Sequence, residues 1–141
     1  MKKRRTILMF LSMLFGFATL HVMARSAVDD RVCTQHTVDP TYPRLARLAR
    51  ITGAVDVDIE VDKDGSVRSA IGSGAHNLLN RAAEENVKKW TFCSSKENFK
   101  VKIIYAYRFE GQAEYQESPP KVVFHLPRVE IVAHAPMPGL D

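Results

Sequence analysis

Between residues 53 and 61 the chain reads GAVDVDIEV, with Val55, Val57, Ile59 and Val61 alternating against Asp56, Asp58 and Glu60. A period of two sends successive side chains to opposite faces, so the spacing predicts a half-buried strand with the branched residues inward and the carboxylates outward. Asp64-Gly65 suits the positive φ of a tight hairpin turn, and SVRSAIG, 66–72, returns as a second, looser strand. The period then changes. Leu79, Ala83, Val87 and Trp90 form one helical stripe with Leu78 and Ala82 beside it, which predicts a helix over 77–90. Asn77 is the expected cap, and Glu84 with Lys88 and Glu85 with Lys89 are the expected i,i+4 pairs. Alternation resumes in KVKIIYAYRF, 100–109, where Val101, Ile103, Tyr105, Tyr107 and Phe109 share a face of a further strand.

The flanks are less regular. Residues 28–40 show no sustained period and read as an irregular lead-in, whereas Leu45, Leu48 and Ala49 in TYPRLARLARI recur at helical spacing after a proline suited to a first turn. That predicts a short helix of about two turns. Arg44, Arg47 and Arg50 form a basic row on it, read first as a solvated face and second as a partner contact. GSGAHN, 72–77, is a connecting loop without the lysine of a phosphate-binding loop. Residues 111–120 are polar and end in two prolines, as a linker does. Beyond them Val122, Phe124 and Leu126, then Val129, Ile131 and Ala133, recur at period two on either side of Pro127. This extension reads as a bent edge strand or as a segment lying across the domain.

A length of 141 residues with 45% hydrophobic positions fits one globular domain. The net charge of +4 belongs to the first 27 residues: without Lys2, Lys3, Arg4, Arg5 and Arg25 the balance of residues 28–141 is −1. Nucleic-acid binding therefore has no electrostatic footprint in the body of the chain. Residues 1–27 combine that basic start with an apolar run from Ile7 to Leu20 and small residues near position 24, the pattern of a signal peptide or, if retained, a membrane anchor. Either reading places the remainder outside the cytoplasm. There, the only two cysteines, Cys33 and Cys93, are candidates for one disulfide, with two free thiols as the alternative.

The acids of 53–65 invite a metal reading, which fails at its most specific point. The best calcium-loop register puts Glu60, Asp62 and Asp64 first, with Gly65 at the turn, and then meets Ile71 where a bidentate glutamate is required. His36, His76, His125 and His134 are scattered singly, and neither cysteine has a catalytic setting. The expectation is a protein without enzymatic activity, cofactor or metal.

The ordered combination of Tyr42-Pro43, Gly53, Asp64-Gly65, the 79–90 helix followed by Phe92, and the strand closing at Phe109 resembles the carboxy-terminal domain of the TonB family over roughly residues 41–110. The resemblance implies an α+β fold, a small antiparallel sheet packed on one long helix in the order α-β-β-α-β, here with an extension at 111–141. It further implies a periplasmic binding module for outer-membrane transporters or other envelope proteins, whose partner peptide adds as a strand along residues 100–109. Lys100, Lys102, Ile104, Ala106 and Arg108 are then the candidate binding positions. The competing reading is that residues 121–133 cover that edge. The long spacer and motor-engaging helix of a complete energy transducer are not matched: residues 25–41 reach at most about 60 Å. An inner-membrane-anchored relative, a structural envelope protein and an uncharacterised enzyme are the alternatives. Membrane contact is expected only through a retained leader, and a homodimer is left open.

Overall fold

A computed structural model describes residues 32–111 and 118–137. The leader lies outside the described residues, as does most of the expected linker. The elements run β1 (Thr34–His36), α1 (Arg44–Leu48), β2 (Gly53–Val61), β3 (Val67–Gly74), α2 (Asn77–Val87), β4 (Thr91–Phe92), β5 (Phe99–Phe109), β6 (Lys121–His125) and β7 (Arg128–Ala133). Five strands form one sheet in the order β3-β2-β5-β7-β6, while β1 and β4 pair as a separate two-stranded ribbon.

The alternating residues behave as their period requires. Val55, Val57, Ile59 and Val61 are all at most 1% exposed, and Tyr105 opposite Val55, Ile103 opposite Val57 and Tyr107 opposite Gly53 complete the inner face. Each such aliphatic burial contributes about 1.5–3 kcal/mol. Leu79, Ala83 and Val87 of α2 close this core from one side, joined by Trp90 and Phe92. Between the first two strands, Gly65 has φ of 90° and sits so close to Phe92 that any Cβ would collide with its carbonyl.

The helix is shorter than its apolar stripe. After Val87 the bonds tighten to Lys89 N–H with Asn86 O and Trp90 N–H with Val87 O, both 3.0 Å, and the chain turns Trp90 beneath the sheet. Its N-cap is His76 rather than Asn77: the His76 Nδ1 accepts from Leu78 N–H at 3.1 Å. Glu84 spans to the sheet, its Oε1 accepting from Gly72 N–H at 2.7 Å, where a pair with Lys88 was expected.

Asn86 is the buried polar residue of this core. It donates to Val38 O at 2.9 Å and accepts from Trp90 Nε1 at 3.1 Å and Tyr105 Oη at 2.8 Å, tying lead-in, helix and β5 together. The lead-in is therefore not wholly irregular. Its β1 pairs with β4, and a disulfide joins Cys33, just before β1, to Cys93, just after β4, with Cα atoms 5.5 Å apart.

The sheet is mixed, which corrects the expected antiparallel arrangement. β6 turns back at cis Leu126–Pro127 into β7, and this hairpin inserts β7 between β6 and β5, where it runs parallel to β5. Composition explains which arm goes inside: Val129 and Ile131 are fully buried and Ala133 is 2% exposed, whereas β6 is only half-buried. The short α1 makes one turn where about two were expected; Ala46 is its buried residue, and Leu45 and Leu48 are 66% and 56% exposed.

Candidate docking edge

The acids of β2 point outward, as their alternation requires, and meet the lysines of β5. Glu60 and Lys100 are register partners with Oε1 and Nζ 2.9 Å apart, and Lys102 Nζ lies 3.6 Å from both Asp56 and Asp58. Asp62 bonds Arg68, and Asp64 accepts from Ser66 within the turn. Hydrogen bonding to Lys100 holds the Glu60 carboxyl below its ordinary range, and the same partnership raises Lys100. The carboxylates thus form a solvated cross-strand ladder.

Farther along this face, Glu130 is held low chiefly by Arg128, whose Nε is 3.2 Å from its Oε1. Arg108 approaches both Glu130 and Glu110 at 3.4 Å.

The backbone of β5 divides into two halves. Ile104 N–H donates to Pro127 O at 2.8 Å and Glu110 N–H to Ala133 O at 3.0 Å, so the even-numbered amides of β5 face the β7 flank. Register with β7 runs from Ile104 opposite Arg128 to Phe109 opposite Ala133. Ile104, Ala106 and Arg108 therefore already have a strand beside them, and the expected docking edge is closed along that half by the chain's own extension. Lys100 and Lys102 differ. Their amide groups face the same flank by alternation, and among the described residues no strand pairs with them there, because β7 begins only at Arg128.

Next to this uncovered stretch lies a groove of about 390 Å³. Val32, the bonded Cys33 and Cys93, Phe99 and Val101 give it an apolar part, and Ser94, Ser95 and Lys100 complete the lining. Sequence reasoning did not find this groove. The pairing of the two cysteines was the signal available, since it brings the lead-in to the start of β5. The sheet's outer strands β3 and β6 provide its remaining edges.

The described histidines are dispersed over the fold: His76 caps α2, and His36 and His125 sit on β1 and β6. Among the described residues no group of three metal-ligating side chains occurs, and no helix is long and apolar enough to cross a membrane. No curated protein sequence matches the chain. The α+β core from the Tyr42 region to Phe109 coincides with a family match to the Gram-negative bacterial TonB protein C-terminal over residues 38–110, just over half the chain, and the protein belongs to that family of non-enzymatic, transport-linked envelope domains.

Proposed function

We propose that the protein is an exported, periplasm-facing binding module that receives an extended partner peptide by strand addition at the uncovered start of β5. The observation that supports this reading is the juxtaposition of the even-numbered backbone groups at Lys100 and Lys102, which no strand pairs among the described residues, with the groove lined in part by Phe99, Val101 and the Cys33–Cys93 bond. In strand addition the main chain supplies affinity and alternate side chains supply selection, and here one set of alternate side chains would enter an apolar groove. The visiting strand would lie beyond the end of β7, in line with its track along β5. An outer-membrane transporter or another envelope protein is the intended partner class, following family membership. The leader either is removed or holds the domain near the inner membrane.

A photoreactive residue at Lys102 in intact cells tests this, with Arg108 as the comparison because β7 already occupies its flank. Capture of an envelope protein from position 102 and only self-contacts from 108 is expected. Self-capture from both positions overturns the proposal.

A further inference from the structure

The short helix α1 presents a second surface that strand addition at β5 does not use. Four large hydrophobic side chains are strongly exposed among the described residues, and two of them, Leu45 and Leu48, lie three residues apart on this single turn. A third is Met137, 44% exposed. It follows Pro136, whose carbonyl oxygen accepts from Arg50 at 3.1 Å, so Met137 stands beside the end of the same element.

Arg44, Arg47 and Arg50 flank the leucines, and no acid occurs between Asp39 and Asp56 in the sequence. Neither Arg47 nor Arg50 forms an ion pair with a described residue. Among the described residues those two cations therefore have no carboxylate partner. This contrasts with the outer sheet face, where Lys100, Lys102, Arg108 and Arg128 each have carboxylate partners.

We infer that α1 is a contact for the surface of an anionic phospholipid bilayer, with Leu45 and Leu48 entering the headgroup boundary and Arg47 and Arg50 meeting lipid phosphates. Shape and charge together favour a bilayer. One turn of helix bearing protruding leucines is convex and fits a deformable interface without a matching cavity, and basic residues flanking apolar ones are the pattern of an interfacial segment. Chain length agrees: from Leu20, the end of the sequence's apolar run, to Arg44 is 24 residues, so a retained leader would keep α1 within reach of the membrane and make a weak contact effectively intramolecular. This contact lies outside the expected leader and does not depend on the β5 proposal.

The test places an indole at the tip by Leu48→Trp in the full chain, with the buried Trp90 signal subtracted using the parent protein. Emission is followed with vesicles of phosphatidylglycerol and phosphatidylethanolamine, or of phosphatidylcholine alone, each containing brominated acyl chains. The reading concerns the depth of residue 48, so leader insertion into either vesicle leaves it interpretable. Blue-shifted, bromine-quenched emission confined to the anionic vesicles is expected, and Arg47→Gln or Arg50→Gln should each weaken that response by roughly fivefold. Unquenched emission with both vesicles overturns the inference, as does equal quenching in both. A response of the introduced indole to polyglutamate but not to anionic vesicles also overturns it, and assigns α1 to an acidic protein surface instead.

Discussion

Asn86 carries three hydrogen bonds inside an otherwise apolar core, to Val38, Trp90 and Tyr105. Truncation to Ala removes the partner of the Tyr105 hydroxyl and leaves a buried donor unsatisfied, so Asn86→Ala should lower unfolding stability by roughly 2–4 kcal/mol in a denaturant titration. The surrounding phenols lead to a second expectation. Burial pushes Tyr42 up to about 12 and raises Tyr105 and Tyr107 further from the ordinary value of 10. Their folded forms retain protons that the unfolded chain loses near 10, so this contribution to stability is full below that pH and is lost progressively above it. Three of the four tyrosines should therefore yield phenolate absorbance only well above pH 10 or together with unfolding. Glu60 and Glu130 have the opposite sign: their depressed folded values favour the native state above the ordinary carboxylate range, and that support fades as pH falls through their folded values. Asn86 itself was not legible as a core residue, because in sequence it is one polar position inside an amphipathic helix.

At the scale of elements, β2 was the most legible, because four β-branched residues against three acids admit one placement of the two faces. The Asp64-Gly65 turn was equally clear, and its reason is geometric: φ of 90° and the nearby Phe92 carbonyl leave no room for a Cβ. Gly65→Ala should cost roughly 2–4 kcal/mol, measured as a shift of the denaturation midpoint. The end of α2 was misjudged because Trp90 keeps helical phase with Leu79 and Val87 although the backbone has already tightened into a turn. The length of α1 was overestimated because Leu45, Leu48 and Ala49 keep helical spacing, whereas Ala46 on the turn and Tyr42 just before it are the residues buried there, and both leucines stay exposed. The disulfide closes a sequence separation of 60 residues and ties β1 to β4. By the chain-entropy relation, replacing both cysteines by serine should cost about 4 kcal/mol, and as much should be lost on reduction of the parent protein.

For the whole molecule, the extension after residue 118 is the feature that alters the account of the site. Its period-two residues were visible in the sequence, but alternation alone does not state which neighbour a strand chooses, and a parallel partner for β5 required the three-dimensional path of the hairpin. With Val129, Ile131 and Ala133 in the core, β7 is part of the body of the domain. A chain ending at residue 117 should expose the flank of Ile104–Phe109 and show lost cooperativity on heating, together with self-association. The consequence for function is a β5 that is covered at one end and open at the other. Amide hydrogen exchange of the native protein tests that division most directly. The account predicts slow exchange at Ile104, Ala106 and Arg108 and fast exchange at Lys100 and Lys102, with the latter pair slowing when a partner peptide binds. Uniform protection from Lys100 to Arg108 in the free protein, or fast exchange at all five, would contradict it.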